Sequence, residues 1–220
     1  MPKKNTKKAF TLSEVLIAVG VLGVVASITA VAFYHNIQDA NLKTLWKQAF
    51  ADLSQVTESI MANNTGSDAG TLIGVFTSSD NMRDKFLEYL TVNKSCNSVS
   101  GKGNCWHNDG NWKRLDGTPE TTFQNRAGAI LNNGTFVWFS YETSACSVTH
   151  GFGAVICGAI TVDVNGWKGP NQMGKDIFGI WLTKNGAYPL GIQGDTFSPA
   201  SQCATKTGYG LGCSAEFLYK

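Results

Sequence analysis

An apolar run from Phe10 to Phe33, set directly behind Lys3, Lys4, Lys7 and Lys8, constrains this chain more than any other feature. About 24 residues with a single charge are long enough to cross the hydrocarbon core of a bilayer as a helix. The run is too long for the apolar part of a secretory signal peptide, and no small-x-small cleavage site closes it. It flows instead into a polar, amphipathic stretch. A plain single-pass anchor accounts for the lysines, which stay cytoplasmic and send the C-terminal part outside. It does not account for Glu14, near the start of the run. A carboxylate at membrane depth costs several kcal/mol unless it is paired or lifted to water.

The residues around Glu14 carry a resemblance. "KKAFTLSEVLIAVGVLGVVA" is similar to the N-terminal signature of type IV pilins and of the pseudopilins of type II secretion, over roughly residues 3–35. In that family a basic leader ends in a small residue, the next residue is usually Phe, and the fifth mature residue is Glu. The resemblance implies that a prepilin peptidase cuts between Ala9 and Phe10, that Phe10 is N-methylated, and that Glu14 serves assembly. Ala9 stands where the family usually has Gly. The proline often found along the family's apolar segment is absent, so any unwinding would begin at Gly20 or Gly23.

The implied protein is a structural filament subunit and not an enzyme. It would wait in lipid, single-pass in the inner (cytoplasmic) membrane with its N-terminus cytoplasmic. An inner-membrane assembly platform would then pass it into a helical filament of other pilin or pseudopilin subunits, periplasmic or extracellular. In such a filament the α-amino group of Phe10 on one subunit would neutralise Glu14 of a neighbour. Losing one partner of a buried pair leaves an uncompensated charge worth about 3–5 kcal/mol. The organisation expected is a leader at 1–9, a transmembrane and filament-core helix at 10–34, an amphipathic continuation at 35–63, and a head at 64–220.

Beyond the apolar run, Ile37, Leu42, Leu45, Ala49, Leu53, Val56 and Ile60 recur mostly at three- and four-residue steps, widened by Trp46 and Phe50. This predicts one helix from Phe10 to about Ala62, its second half presenting a stripe to a domain. "NNTGSDAG" ends it with turn formers. "NMRDKFLEYL" reads as a short second helix. "GAILNNGTFVWFSYE" and "DIFGIWLTKNGAYPLG" read as hairpins turning at Asn-Asn-Gly and Asn185-Gly186, and "GAVICGAITVDVNG" as a further strand. The expected fold class is α+β: a long N-terminal helix packed on a small antiparallel sheet of four to five strands.

Six cysteines, Cys96, Cys105, Cys146, Cys157, Cys203 and Cys213, all follow the apolar run. An even count in an exported domain reads as disulfides, with fifteen pairings open. The local set, Cys96–Cys105, Cys146–Cys157 and Cys203–Cys213, is favoured because it closes short loops of similar size. Zinc is disfavoured by the absence of C-x-x-C and by the scatter of His35, His107 and His150.

The stretch "VDVNGWKGPNQMGKDIF" offers hard oxygen donors at Asp163, Asn165 and Asp176. Two arrangements fit it. Calcium takes 6–8 oxygens in flexible loops, and D-x-N-G opens many of them. The loop also resembles one in pilin-like proteins, some of which hold calcium there. Alternatively, Asp163 and Asn165 bond their own backbone in an Asx turn. No cofactor is required on this reading; calcium is the candidate.

The sequence holds no phosphate loop, no G-x-S-x-G and no H-E-x-x-H. Without the four leading lysines the 18 basic residues become 14 against 16 acidic, so bulk charge gives no hold on nucleic acid. The alternative class is a minor pilin or anchored binding module, an adhesin or DNA-uptake protein. It would show exposed Trp106, Trp112 and Trp138, or a basic patch drawn from Lys94, Lys102, Lys113 and Arg114.

Overall fold

The computed structural model describes residues 11–219, apart from the side chains of 31, 32 and 34–36. Helix α1 runs from Leu12 to Asn63, unbroken by proline. The chain divides into two compact units, the second beginning at Leu42.

In the first unit no described side chain of the helix is fully buried. Leu16, Ile17, Val19, Leu22 and Val25, spread all round the helix, are each more than half exposed. In the second unit the helix has one buried stripe: Leu42, Trp46, Ala49, Leu53, Val56 and Ile60. The steps of three and four residues place these side chains on one face. Ile37 is 65% exposed and does not join the stripe, because the five-residue step to Leu42 sets it on another side of the helix. Asn63 ends the helix where the Asn-Thr-Gly turn begins.

Helix α2, Ser79–Leu87, follows an extended Ser78 whose side chain accepts the Asn81 N–H, an ordinary N-cap. Among the described residues, seven strands then form one antiparallel sheet: β1 Val92–Cys96, β2 Ala127–Leu131, β3 Phe136–Tyr141, β4 Val148–Thr149, β5 Val155–Asp163, β6 Ile177–Thr183 and β7 Gly186–Pro189. The order is β1-β2-β3-β5-β6-β7, with β4 paired to β5. Both expected hairpins, β2–β3 and β6–β7, are present. The sheet is larger than four to five strands because of β1 and β4. "VNKSC" is mostly exposed and "VT" is two residues long, so neither shows apolar alternation. Two short helices close the chain, α3 Ser201–Thr205 and α4 Cys213–Tyr219.

Alternation along the strands sorts the core into two layers. Val137 and Phe139 of β3, with Ile160 of β5 and Phe178, Ile180 and Leu182 of β6, pack with the α1 stripe. Phe136 and Trp138 face the other way, into Trp106, Trp112, Ile156 and Trp181. That second face is covered by irregular segments. Both faces of β6 are therefore covered, and all seven of its residues are buried.

Loops can serve as a core layer only if their polar groups are satisfied. Asp195 shows how this is done. Its carboxylate accepts the Trp181 indole N–H at 2.8 Å and the backbone N–H groups of Gly191, Phe197 and Ser198 at 2.9–3.0 Å. Glu120, fully buried, accepts Arg114 Nε at 2.7 Å and the Thr122 amide at 2.6 Å. Disulfides Cys96–Cys105, Cys146–Cys157 and Cys203–Cys213 tie down the irregular segments. Each closes a short loop, which by chain entropy is worth about 2–4 kcal/mol. At the C-terminus, Trp46 of α1 stacks on Phe178, with centroids 4.8 Å apart, and donates its indole N–H to Ser214 O at 3.0 Å.

Candidate functional site

Two regions carry the residues singled out by sequence. At the first, Ala9 and Phe10 lie outside the described residues. Thr11 and Glu14 form a reciprocal cap. The Glu14 carboxylate accepts the Thr11 N–H at 2.9 Å and the Thr11 hydroxyl at 2.8 Å, while the Glu14 N–H points at Thr11 Oγ1, 3.3 Å away. "TLSE" is thus an S/T-x-x-E capping box opening α1. Its signature is plain in the sequence, Thr11 standing three residues before Glu14. The box gives the isolated subunit a local use for Glu14, whose carboxylate otherwise stands among exposed apolar side chains.

From Leu12 to Ala30 the helix is 19 residues long with a mean hydropathy of 2.1. At 1.5 Å per residue it reaches about 28 Å, close to the thickness of a bilayer core. Its hydroxyls do not spoil it. Ser27 donates to Val24 O at 2.7 Å, and Thr29 to Val25 O and Ala26 O at 3.0–3.1 Å, so neither is left without an acceptor in lipid.

The second region is the connection between β5 and β6. Strand pairing sets Asp163 opposite Ile177, and the Val164 N–H donates to Asp176 O at 3.0 Å, so the two aspartates close the two ends of one loop. Both are fully buried. Asp163 Oδ1 accepts the N–H groups of Asn165 and Gly166 at 3.1 and 2.9 Å, an Asx turn, and Oδ2 lies 2.7 Å from His107 Nε2. Asp176 accepts the N–H groups of Asn171 and Gln172 at 2.7 and 2.6 Å. Gly166 has φ +64, and a Cβ there would run into Gly134 O of the neighbouring hairpin turn, so only glycine fits.

This packing strains the charges. Burial raises the pKa of the Asp163 carboxyl, against the pull of His107. Burial first, and then the negative charge of Asp163, push Asp176 up to about 7. Two further oxygens lie in the loop. Asn165 Oδ1 and Asn171 Oδ1 are buried and accept no hydrogen bond, although the Asn165 amide nitrogen donates to Gly169 O at 3.1 Å. Among the described residues no cluster of three or more His, Cys, Asp and Glu forms a metal centre, so any ion here would depend on amide and carbonyl oxygens as well. Two carboxylates and two orphaned amide oxygens in one loop suit a hard, oxygen-preferring cation. Sequence reasoning named Asp163, Asn165 and Asp176. It missed His107, more than fifty residues away in the chain, and Asn171, whose orphaned oxygen shows only in three dimensions.

The features that would mark a binding surface are placed otherwise. Trp106, Trp112 and Trp138 are buried. Lys102 is paired with Asp109 and Arg114 with Glu120, while Lys94 reaches Asn104 Oδ1 at 3.3 Å. Lys113 is exposed.

A family model, the prokaryotic N-terminal methylation motif, matches residues 4–30. The chain carries the type IV pilin and pseudopilin signature. The match takes in Lys4, Lys7, Lys8, Ala9, Phe10, Glu14 and the exposed apolar helix from Leu12 to Ala30, and it does not reach the head. No curated protein and no solved structure matches the chain. The pilin signature points to a membrane-anchored precursor and a structural subunit.

Proposed function

We propose that this pilin-like chain is a structural subunit of a type IV pilus or type II secretion pseudopilus, made as a prepilin and assembled through its N-terminal helix. The observation that carries the reading is the methylation motif laid over a 19-residue apolar helix in which no residue is buried. Such a surface needs lipid first and neighbouring helices later. Prepilin peptidase cleaves between Ala9 and Phe10, Phe10 is N-methylated, and the new amine pairs with Glu14 of an adjacent subunit. The subunit leaves the inner membrane, where its N-terminus was cytoplasmic, for a periplasmic or extracellular filament. Burial of the three tryptophans supports a structural head over an aromatic binding surface. The loop from Asp163 to Asp176 takes calcium, which neutralises the two carboxylates and fastens the end of β5 to the start of β6.

The capping box sharpens the test of Glu14. Gln at the same position keeps a capping side chain and removes the charge. Filaments are collected from a strain lacking the wild-type gene and expressing the wild-type chain, Glu14→Gln or Glu14→Ala. Both variants are expected to insert in the membrane and to yield few filaments, and the mature wild-type chain is expected to begin at methylated Phe10. Filament yield from Glu14→Gln equal to wild type would show that the cap, and not the charge, is what matters. A mature chain still beginning at Met1 would remove the prepilin reading altogether.

A further inference from the structure

The end of the sheet where β5 begins and β6 turns into β7 carries a cavity that neither the pilin signature nor any sequence motif accounts for. We propose that this cavity binds a carboxylated sugar, a uronic-acid unit of a glycan. The proposal goes beyond the filament reading and does not use the β5–β6 loop.

Shape and walls point to a ring-shaped ligand. The cavity measures 370 Å³, within the about 300–1,000 Å³ usual for small-ligand sites. Phe152, from the link between β4 and β5, and Tyr188 of β7 form two of its walls, with ring centroids 6.4 Å apart and planes at 54°. Val155 and Ile192 add to the apolar lining. Aromatic walls suit the C–H face of a pyranose, which is apolar although its rim carries hydroxyls.

The polar lining selects for charge. It consists of Thr183, Lys184 and Asn185. The Thr183 hydroxyl is committed to Gly186 O at 2.9 Å. Lys184 is fixed by its backbone: its N–H donates to Val155 O at 2.9 Å, and its carbonyl accepts the Leu72 N–H at 3.0 Å. Its ammonium pairs with no carboxylate among the described residues, and no Asp or Glu lines the cavity. One cation without a counter-charge, beside the exposed amide of Asn185, favours an anion that also carries hydroxyls.

A further ring stands nearby. Phe197 is 51% exposed and packs on His150 with centroids 5.0 Å apart, and His150 stacks on the buried Trp181 at 4.8 Å. The His150 carbonyl accepts the Thr196 N–H at 2.8 Å, so the backbone that carries Phe197 runs beside the one that leads to Phe152. A longer glycan can continue over this ring. Two walls and one cation match a single acidic sugar, and not the row of stacked bases that a nucleic acid presents.

The experiment uses the full chain in a sugar-free detergent. Trigalacturonate is the probe and maltotriose its neutral counterpart, titrated by calorimetry at low and high salt. Chelator is present throughout, so that calcium does not bridge the probe's carboxylates to the protein. Wild type is expected to bind trigalacturonate, more weakly as salt rises, and to bind maltotriose about tenfold more weakly. Lys184→Gln keeps most of the side chain and removes the charge. It is expected to lose about tenfold for trigalacturonate, together with the salt dependence, and nothing for maltotriose. Tyr188→Ala removes one wall and is expected to weaken both probes by about tenfold. No heat from trigalacturonate with wild type overturns the proposal. So does wild-type affinity for trigalacturonate in Lys184→Gln, which places the anion elsewhere. Should Tyr188→Ala fail to fold, Phe152→Ala removes the opposite wall, and undiminished binding there excludes this cavity. Tighter binding of a short oligothymidylate than of trigalacturonate overturns the saccharide in favour of a nucleic acid. None of these variants touches residues 9–14, so a negative result leaves the filament reading as it stands.

Discussion

Single side chains in this protein are placed by what they would cost if unpaired. Glu120 illustrates the balance. Burial alone would lift its carboxyl pKa, but Arg114 and the hydroxyl and amide of Thr122 outweigh it and hold the group below its ordinary value of 4.5. A carboxylate with a depressed folded pKa contributes stability that is fully present above the unfolded pKa and is lost as pH falls through the folded one. Removing Arg114 leaves a buried charge with fewer partners. Because the guanidinium is partly exposed, the loss is expected near the lower end of the about 3–5 kcal/mol range for buried pairs. Melting of wild type and Arg114→Ala at about pH 6 and about pH 3 checks this. The gap between them is expected to be wide at the higher pH and to shrink at the lower, where Glu120 takes up a proton. A gap independent of pH would mean that Arg114 acts by packing on Tyr209, over which its guanidinium lies at 4.4 Å.

At the scale of elements, the second half of α1 belongs to the head as much as any strand does. Trp46 is the deepest of its contacts, fully buried, stacked on Phe178 and bonded to a carbonyl of α4. Trp46→Phe keeps most of the ring and leaves Ser214 O without its donor, an expected loss of about 1–3 kcal/mol. Trp46→Ala opens a cavity and is expected to cost about 3–5 kcal/mol. Denaturant titration of the two variants checks the order. Equal losses would show that the indole hydrogen bond, and not the stacking, dominates. The strands were legible in proportion to their length and alternation: β2, β3, β5, β6 and β7 could be read, while β1 and β4 are set by pairing with neighbours.

On the scale of the whole molecule, the proposed anchor links the apolar helix to the redox state of the head. Disulfides persist outside the cytoplasm, so on the proposed reading the apolar helix delivers the head, with its three disulfides, across the membrane. Asp at the centre of a spanning helix costs about 2.5–3.5 kcal/mol. The double change Val21→Asp, Val24→Asp is therefore expected to release the chain from membranes under alkaline wash. Its cysteines are then expected to react with an alkylating agent without prior reduction. Wild type is expected to stay in the pellet and to resist alkylation until reduced. Oxidised cysteines and a wash-resistant pellet in the double variant would contradict a spanning role for residues 12–30.

What the sequence by itself determined is what depends on neighbours along the chain. The apolar run, the basic leader, Glu14 in its motif, the helical stripe from Leu42 to Ile60 and the two Asn-Gly hairpins all follow from local spacing. The resemblance carried by residues 3–35 rests on that same locality. What only the tertiary structure decided is what depends on residues far apart. The second tryptophan layer, built by loops with no periodicity of their own, is of this kind. So are the approach of His107 to Asp163 and the two amide oxygens left unpaired in the loop that joins β5 to β6. Periodicity encodes which face of an element is apolar. It does not encode which distant loop will cover that face, because that choice is made by packing and by the need to satisfy every buried polar group at once.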